Sequence, residues 1–262
     1  MTPAARAARE WAIRCSVKSG HGHLPSSFSI IEMALSAYGV MRHDPTHPGA
    51  PDRDLFILSK GHAALGYYCV LAQLGYFPPA AVERFGANGS TFGCHPDRHK
   101  VPGVEASCGS LGHGIGIAVG AAMGMRIAGS DRRVFVVIGD GEANEGSVWE
   151  AVMVASDQKL SNLTILYDHN RSQTRCLQIP NPAERFAAFG CATIEVDGHD
   201  EVAITSALRT PADTVKVVVG RTVKGFGCAS LSDNVFEWHR KSPTADTCDA
   251  LIAELDVHTT HA

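Results

Sequence analysis

The sequence lacks the features that mark several large classes of protein. None of its eight cysteines lies in a CxxC pair, so neither a cysteine zinc site nor a redox pair of that kind is predicted. Lys and Arg number 23 against 27 Asp and Glu, and this net charge of −4 gives no electrostatic reason to expect nucleic acid or an anionic membrane as a partner. Scattered free thiols are typical of a reducing compartment, and we expect the protein to be cytoplasmic.

Two kinds of apolar segment are also missing. The first residues, Met1–Arg14, include three arginines and a glutamate without an apolar core, so they do not resemble a secretory signal. The longest weakly polar stretch, Leu111–Gly129, contains His113, Arg126 and six glycines, which argues against a membrane span. We therefore expect the ligands to be small molecules or other proteins.

Five short apolar runs predict buried parallel strands. The last four are separated by segments long enough for helices, an alternation typical of a doubly wound α/β fold in which helices flank a mostly parallel sheet. The 262 residues, 45% of them apolar, allow a sizeable core, and no repeat or linker divides the chain. We expect a single domain over residues 1–262. The predicted strands are Leu55–Leu58, Val134–Ile138, Leu163–Tyr167, Ala192–Val196 and Val215–Val219, and the helices ahead of them are Ala4–Val17, Ser29–Tyr38 and Ala63–Gly75.

Two further segments stand out by composition. The stretch from about Gly86 to Ser107 is rich in Gly, Pro and His and predicts a long loop, and loops of such length usually serve a function. Glycines recur every fourth residue at 112, 116, 120 and 124, on one face of a predicted helix. Because a face without side chains lets another backbone approach closely, we expect a tightly packed interface there.

The strongest local signal is a glycine-rich turn between a strand and a helix. The strand Arg133–Ile138 runs into Gly-Asp-Gly at 139–141, and a helix is predicted from near Val148. A dinucleotide fingerprint needs glycine where this chain has Asn144, which disfavours a nicotinamide oxidoreductase. A carboxylate in such a turn would repel a diphosphate unless a divalent cation lay between them. Asp140 is therefore predicted to bind a metal.

The next predicted strand supplies a second oxygen ligand. Leu163–Tyr167 is followed by Asp-His-Asn-Arg-Ser at 168–172, and the carboxyl ends of adjacent parallel strands share one edge of the sheet. Asn170 is placed to act as a neutral metal ligand, and the carbonyl of Ser172 could be the remaining ligand that the protein supplies. Either feature alone is compatible with an ordinary turn or cap. Their occurrence after two consecutive strands favours a site for Mg²⁺, with Ca²⁺ or Mn²⁺ as substitutes.

These residues resemble a known family. Gly-Asp-Gly followed nearly thirty residues later by Asn170 is similar to the thiamine diphosphate motif, and Gly139–Glu150, GDGEANEGSVWE, resembles its transketolase form. The resemblance implies an N-terminal transketolase subunit that binds thiamine diphosphate and serves the transfer of a two-carbon ketol unit from a ketose, free or phosphorylated, to an aldehyde. It extends over Ser19–Ser29, Ser59–Ala63, Gly93–Gly114, Val196–Asp200 and Val235–Lys241.

The resemblance also implies roles for particular residues. The implied metal ligands are Asp140, Asn170 and the carbonyl of Ser172. Histidines suit the reaction, since imidazole exchanges protons near neutral pH and a sugar offers hydroxyl groups. The implied catalytic residues are His23, His95 and His239. The implied cofactor-binding residues are His62, Gly109, Ser110, Leu111, Gly141, Glu142, Asn170 and His239.

The resemblance further implies a second polypeptide. In the family, a pyrimidine-binding domain carries a glutamate that activates the cofactor, and most ligands of the sugar phosphate lie outside the segment that this chain matches. We expect a C-terminal subunit to supply the pyrimidine-binding and C-terminal domains, in an α2β2 assembly around a small sugar substrate. The counterparts of Glu145 and Glu150 belong to a carboxylate network between paired active sites. The chain alone should then be inactive.

The match departs from its family at some positions. Leu-Pro-Ser at 24–26 replaces the usual Pro-Gly-Gly, and His113 stands where many members carry Gln. Arg171 and Ser172 replace a glycine and an apolar residue. Arg171 and Arg175 add positive charge beside the metal loop and could meet a phosphate, a partner carboxylate or solvent. These changes weaken any assignment of pentose phosphates as the substrates.

Other interpretations of the sequence remain open at this point. The chain could belong to another thiamine diphosphate enzyme, similar to a deoxyxylulose-phosphate synthase or an oxo-acid dehydrogenase, or be a non-catalytic cofactor-binding subunit. His21 and His23 could instead begin a zinc site, with His95 or Asp97 as further ligands, in a hydrolase. That interpretation leaves the two strand-end oxygen ligands unexplained.

Overall fold

A parallel five-stranded sheet forms the centre of the protein. The computed structural model describes residues 1–175, 177–239 and 241–257. The strands are arranged in the order β1-β2-β3-β5-β4, and each neighbouring pair is parallel. This confirms the predicted α/β class with a parallel sheet flanked by helices. The strands are β1 (Leu55–Leu58), β2 (Val134–Gly139), β3 (Leu163–His169), β4 (Ala192–Asp197) and β5 (Lys216–Arg221).

Helices fill the segments between the strands, and local capping explains where several begin. The hydroxyl of Thr2 accepts a hydrogen bond from the Ala5 N–H at 3.2 Å, and Asp200 caps a later helix in the same way. The helices are α1 (Pro3–Ser19), α2 (Leu24–Phe28), α3 (Ile31–Tyr38), α4 (Ala64–Gln73), α5 (Pro79–Val82), α6 (Gly114–Ile127), α7 (Gly146–Asp157), α8 (Pro182–Ala188), α9 (Glu201–Arg209), α10 (Ala229–Ser232) and α11 (Ala245–Val257); short 3-10 turns span Gly61–Ala63, Glu142–Asn144 and Ser172–Arg175.

Alternate strand residues enter two hydrophobic cores on opposite faces of the sheet. In β2, Phe135 and Val137 join a core that includes residues of α1, α3 and α4. Val136 and Ile138 join the other core, with residues of α6 and α7. Because successive side chains of a strand point to opposite faces, an almost continuous apolar run is what such a doubly covered strand requires.

The amino edge of the sheet is fixed by one buried aspartate. Asp54 is fully buried and directly precedes β1. It accepts hydrogen bonds from the backbone N–H groups of Arg133, at 2.8 Å, and Arg42, at 2.9 Å, and from the Arg133 guanidinium at 2.7 Å. These bonds tie the start of β1 to the start of β2, so the register of the two strands is set at this end.

The predicted long loop is confirmed, and three glycines of the stripe lie at the surface. Residues 86–107 contain neither helix nor strand, as predicted. On α6, Gly116, Gly120 and Gly124 face open space, because a Cβ built on any of them would meet nothing within 4 Å. Gly112 instead lies in the turn before α6, where a Cβ would meet Ser147 Oγ at 2.3 Å. The expected tight packing is therefore made at Gly112 but not at the other three glycines of the stripe within the described ranges. Among the described helices, none combines the length and apolarity needed to cross a membrane.

Candidate active site

Asp140 and Asn170 come to the same edge of the sheet. Strands β2 and β3 are neighbours, with Gly139 opposite Asp168 in the register. Pairing continues one residue further, because the backbone N–H of Asp140 donates to the carbonyl of Asp168 at 3.1 Å. Both predicted ligands are buried, Asp140 completely and Asn170 with 6% exposure. The predicted pair of strand-end oxygens therefore exists as a buried structural feature.

One carboxylate oxygen of Asp140 lacks a partner. Its Oδ1 accepts hydrogen bonds from the backbone N–H of Gly141, at 2.6 Å, and from the hydroxyl of Ser172. Its Oδ2 is buried and has no hydrogen-bond partner among the described residues. Burial raises the pKa of this carboxyl, while the Ser172 hydroxyl acts in the opposite direction. A buried carboxylate oxygen without a donor costs free energy, and a bound cation would remove that cost.

The side chain of Asn170 is oriented by its neighbours. Its Nδ2 donates to Asp168 Oδ2 at 2.8 Å and to Ser29 Oγ at 3.1 Å. Since an ionised carboxylate can only accept, the first contact fixes which end of the amide is the nitrogen. Oδ1 accepts the backbone N–H of Ser172 at 3.0 Å. An amide oxygen has a second lone pair, so Oδ1 can still bind a cation.

This donor set suits a hard divalent cation. Asp140 and Asn170 offer oxygens, and Mg²⁺ commonly combines one or two protein side chains with phosphate oxygens and water. Within the described ranges, no group of three or more His, Cys, Asp or Glu side chains could hold a metal. The zinc site considered around His21 and His23 is thus not formed there. Zinc sites need three or four such ligands, whereas a cation held jointly with a phosphate does not.

A buried ion pair that the sequence reasoning missed lies beside the two predicted ligands. Burial alone would raise the pKa of Asp168, but the Lys60 ammonium outweighs it and lowers the pKa. Asp168 is therefore an anion, and it orients Asn170. Polar residues just beyond β1 and β5 were the available signal for these partners. Asp168 is fully buried and accepts hydrogen bonds from Lys60, Ser29, Thr222 and Asn170.

Glu142, predicted to contact the cofactor, turns its carboxylate into the protein. It accepts hydrogen bonds from the Ser59 hydroxyl at 2.5 Å and from the N–H groups of Gly112, at 2.9 Å, and Gly139, at 3.1 Å. Burial raises the pKa of Glu142, and these hydrogen bonds oppose the rise. The carboxylate joins the ends of β1 and β2 to the turn before α6. Its contact with a cofactor stays a prediction.

Three of the predicted histidines, His23, His62 and His239, form a cluster. They come from the start of α2, from the turn after β1 and from the loop before α11. The ring centroids lie 5.4 Å apart for His23 with each of the other two, and 6.5 Å apart for His62 with His239. Burial lowers the pKa of His62, and the positive charge of Lys60 lowers it further. His62 is therefore a neutral ring near pH 7.

Neighbouring groups assign protons within this histidine cluster. Nδ1 of His23 lies against the carbonyl oxygen of His239, which can only accept, so this Nδ1 carries a proton. Nδ1 of His239 lies 3.0 Å from Lys224 Nζ and accepts from the ammonium form of that lysine. In their neutral states, His23 thus has Nε2 as an acceptor and His239 has Nε2 as a donor. Two adjoining rings with these roles can take up and return a proton.

His95 lies beside the turn formed by Gly109, Ser110 and Leu111. A side chain at Gly109 would meet the His95 ring at 3.5 Å, and Gly109 and Ser110 are exposed. A side chain at Gly61 would meet the Cys108 carbonyl oxygen at 2.1 Å, so only glycine allows the His62 turn to pack this closely. The structure groups His95 with this turn, and the other three predicted histidines with one another.

Lys224 is a buried cation of the site that the sequence reasoning also missed. It lies in the loop after β5, is 5% exposed, and places Nζ 3.0 Å from His239 Nδ1. Burial, and then the charge of Lys60, lower its pKa to about 8, whereas Asp140 and Asp168 act to raise it. A buried lysine with a lowered pKa is destabilising unless it meets an anion, so Lys224 is a candidate anion-binding group.

Arg171 adopts a strained backbone conformation directly after Asn170. Its φ is 59°, in the left-handed region, and its side chain is exposed. Its carbonyl accepts hydrogen bonds from the N–H and the hydroxyl of Thr174, at 3.2 and 2.6 Å. Non-glycine residues rarely take this conformation unless their surroundings impose it. The side chain of Arg175 lies outside the described part of the chain, and phosphate binding by either arginine stays a prediction.

Comparison with known proteins identifies the family. Residues 2–258 match the family described as transketolase, thiamine diphosphate binding domain. The chain belongs to this family. The predicted resemblance to an N-terminal transketolase subunit is confirmed, and with it the transferase class. The match covers nearly the whole chain, so both edges of the sheet and the histidine cluster fall within the family's thiamine diphosphate binding domain.

Individual relatives fall into two groups by length. The chain is 38% identical over 242 residues to one subunit of the apulose-4-phosphate transketolase of Actinobacillus succinogenes, covering 89% of this chain and 87% of that protein. It is 34% identical to the 6-deoxy-6-sulfo-D-fructose transketolase subunit SqwG of a Clostridium species, covering 91% and 90%. With mouse transketolase the identity is 35%, but the match covers 93% of this chain and only 40% of that enzyme.

Solved structures show the same relation. The transketolase of Campylobacter jejuni superposes with a TM-score of 0.83 at 26% identity, covering 91% of this chain and 40% of that one. The fold class is therefore shared with an experimentally determined transketolase. The chain spans less than half of the full transketolases it matches, and about nine tenths of the proteins named as subunits.

Proposed function

We propose that this chain is the cofactor-binding subunit of a two-subunit transketolase, in which residues 1–262 act as one domain. It would hold the diphosphate of thiamine diphosphate through Mg²⁺, or through Ca²⁺ or Mn²⁺ in its place. The observation that carries the proposal is Asp140, whose buried Oδ2 lacks a partner in the described chain while the oriented amide of Asn170 lies at the same edge. The carbonyl of Ser172 would be a third protein ligand.

The cationic and polar groups around this edge suit the rest of the diphosphate. The Lys224 ammonium is 3.0 Å from His239, so both would approach the same phosphates. A bound dianion would favour the protonated form of Lys224 and so offset the burial that lowers its pKa. Gly141 follows Asp140 and would present backbone to the diphosphate, and His62 adjoins from the turn after β1.

The histidines account for the proton transfers. When bound, thiamine diphosphate supplies the carbanion chemistry that ketol transfer needs. His23 Nε2, as an acceptor, can take a proton from a substrate hydroxyl, and His239 Nε2, as a donor, can return one. His95, beside Gly109, Ser110 and Leu111, would contact the substrate from the other side. The hydrogen bonds that fix the tautomers of His23 and His239 support these proposed roles.

The substrates follow the chemistry of the family. The relatives are named for apulose-4-phosphate and for 6-deoxy-6-sulfo-D-fructose. For this chain we propose a small ketose donor, free or phosphorylated, and an aldehyde acceptor. No nucleic acid or membrane enters the reaction, and the proposed location is the cytoplasm.

A partner subunit is part of the proposal. Two relatives of nearly equal length are named as subunits, and the chain matches only 40% of mouse transketolase. Gly116 of the open glycine stripe on α6 shares a surface cavity with the exposed Val154 of α7, a surface suited to close packing. Glu150 lines a cavity of about 370 Å³ with Gly116, so a carboxylate network at this surface would be shared with the neighbour. We propose an α2β2 enzyme whose second chain carries the pyrimidine-binding and C-terminal domains.

Reconstitution tests the division of the enzyme between two chains. The chain with thiamine diphosphate and Mg²⁺ should not transfer ketol groups, and addition of the C-terminal subunit should restore transfer. Product analysis with a labelled ketose would identify the reaction. Full activity of the chain alone would contradict the proposal, and so would binding of the cofactor without turnover in the complete complex.

Calorimetry tests the metal site itself. Asp140→Ala should abolish Mg²⁺-dependent binding of thiamine diphosphate, because the cation would lose its only anionic protein ligand in the proposed set. Asp131→Ala is a matched control, since the Asp131 side chain is 82% exposed and pairs with Arg42 at the opposite edge. Unchanged affinity in Asp140→Ala would remove the basis of the assignment.

A further inference from the structure

His199, which no part of the proposed mechanism uses, joins two loops at the carboxyl edge of the sheet. It follows β4, and its side chain is 7% exposed. Its Nε2 accepts the backbone N–H of Val223 at 2.8 Å, and its Nδ1 lies 3.1 Å from Glu32 Oε2. A ring nitrogen that accepts from an N–H carries no proton, so the proton is on Nδ1. The ring also stacks on Phe226, with centroids 3.7 Å apart and an interplanar angle of 11°.

A buried ion pair holds this tautomer in place. Glu32 is fully buried and lies 2.7 Å from the Arg9 guanidinium. Burial would raise the pKa of Glu32, but Arg9 and His199 together lower it to about 2, so the carboxylate is ionised. Arg9 also donates to the carbonyl of Phe226 at 2.9 Å. The anion accepts a hydrogen bond from the Nδ1–H of His199, so the acceptor that the ring presents to Val223 is Nε2.

The loop after β5, residues 222–226, is attached at nearly every position. Thr222 donates to Asp168 at its start, and the N–H of Gly225 donates to the carbonyl of Pro25 at 3.1 Å near its end. Between these points the N–H of Val223 is held by His199, one residue before Lys224. The side chain of Val223 is 49% exposed and gives little packing of its own. The Val223 carbonyl accepts the N–H of Phe226 at 3.0 Å, a bond within the loop, so the bond from the Val223 N–H to His199 is what ties Val223 to the loop after β4.

We propose that His199 is a positioning residue for the cofactor site. By holding the Val223 N–H, it fixes the loop conformation in which the Lys224 ammonium lies 3.0 Å from His239 and faces the diphosphate. The consequence for cofactor binding rests on the proposed function, whereas the restraint on the loop does not. A ring that served only as packing would not need an acceptor nitrogen at this point.

Two variants separate the hydrogen bond from the packing. His199→Phe keeps an aromatic ring for the stack on Phe226 but removes both nitrogens. His199→Gln offers one acceptor and one donor at a separation similar to that of the ring nitrogens, so it can bond Val223 and Glu32 together. His47→Phe is the control, because the His47 side chain is 76% exposed.

The first measurement is amide hydrogen exchange in the full chain, which requires no cofactor. His199→Phe should speed exchange at Val223 by about tenfold, the scale expected for loss of one hydrogen bond, and His199→Gln should stay within about twofold of the wild type. The second measurement is the apparent Kd for thiamine diphosphate with Mg²⁺ in the chain mixed with its partner. It should rise by about tenfold in His199→Phe, recover in His199→Gln, and leave kcat at saturating cofactor nearly unchanged.

The outcomes distinguish this inference from the proposed function. Unchanged exchange at Val223 in His199→Phe, or equal defects in the Phe and Gln variants, would overturn the positioning role. If the wild-type chain failed to bind the cofactor, the proposed function would fail, and the exchange measurement would still decide whether His199 restrains the loop. A Kd increase matched by the His47→Phe control would also count against the inference.

Discussion

The two edges of the sheet each bury an aspartate, and the two aspartates differ in how complete their contacts are. At the amino edge, Asp54 accepts bonds to both carboxylate oxygens from Arg133 and from the N–H of Arg42. At the carboxyl edge, Asp140 leaves Oδ2 without a partner in the described chain. Burial raises the pKa of Asp140, which indicates an environment that does not fully stabilise the charge. Folding completes the contacts of Asp54, whereas the proposed cation would complete those of Asp140.

The cationic side chains at the two edges also differ in how well their charge is stabilised. Arg133, which pairs with Asp54, keeps 40% of its side chain exposed, so little desolvation opposes the pair. Lys224 is 5% exposed, and burial lowers its pKa to about 8. Groups with perturbed pKa values cluster at functional sites, so the free energy that burial of Lys224 costs supports the proposed site at this edge. This contrast can be tested by removing each charge in turn.

The largest expected effect on stability is at the amino edge. Asp54→Ala should lower the free energy of unfolding by about 3–5 kcal/mol, because it leaves the Arg133 guanidinium and two backbone N–H groups without their acceptor. Asp140→Ala should change it by less than about 1 kcal/mol, since it removes a carboxylate that is only partly satisfied. Urea unfolding of both variants would show the difference, and equal losses would contradict the comparison.

A second aspartate at the carboxyl edge sharpens the comparison. Asp168 lies at the same edge as Asp140 but is fully satisfied, with Lys60 as its counter-charge. Asp168→Asn should therefore behave like a change at the amino edge and cost about 2–4 kcal/mol, because it leaves a buried ammonium unpaired. The double variant with Lys60→Met should recover part of that loss in urea unfolding. If Asp168→Asn loses no more stability than Asp140→Ala, the edge at which an aspartate lies decides the loss in free energy of unfolding, and the number of hydrogen bonds to its carboxylate does not.

Local patterns were sufficient to predict the strands and the placement of Asp140 and Asn170 at one edge of the sheet. An apolar run that ends in a polar residue predicts both a buried strand and what lies at its carboxyl end, as for Asp140 and Asn170. Strands β2 and β3 extend slightly past the predicted runs, because backbone pairing continues through Gly139 and Asp168 after the apolar side chains stop. The apolar pattern reports side-chain burial and not backbone hydrogen bonds, so a strand end predicted from it can differ from the observed end by one or two residues.

The partners of these ligands could not be predicted because they depend on the order of the strands. The order β1-β2-β3-β5-β4 places β5 beside β3, and this alone brings Thr222 and Lys224 to Asp168 and the histidine cluster. Nothing in the local sequence around Thr222 indicates which strand is its neighbour. The inward direction of Glu142 is likewise a result of tertiary contacts with Ser59 and the turn before α6. The roles of the histidines came from resemblance and not from spacing.

Replacing Lys224 by an apolar residue should show how much the buried ammonium lowers the free energy of unfolding. Lys224→Met should raise the free energy of unfolding at pH 7 by about 1–3 kcal/mol, since the folded-state pKa of about 8 lies below the ordinary value of 10.5. Between these two pH values the unfolded chain binds more protons than the folded one, so wild-type stability should rise from pH 8 towards 10.5. The Met variant should lack that part of the rise and should bind thiamine diphosphate more weakly. Urea unfolding at pH 7 and 9.5 would show both, and a destabilised variant would contradict the argument.

The smallest effect compares two left-handed residues at opposite ends of β3. Lys159, with φ 47°, precedes the strand at the amino edge, and Arg171, with φ 59°, follows it at the carboxyl edge. Glycine relieves the steric cost of this conformation but loses more entropy on folding, so either change to Gly should stabilise by about 0.5–1 kcal/mol if the backbone alone matters. Thermal unfolding of both variants measures this. If Lys159→Gly stabilises the protein and Arg171→Gly does not, the Arg171 side chain contributes to holding the loop that carries Asn170. The backbone strain at Arg171 and the unpaired oxygen of Asp140 would then both be features that the proposed site retains at a cost in stability.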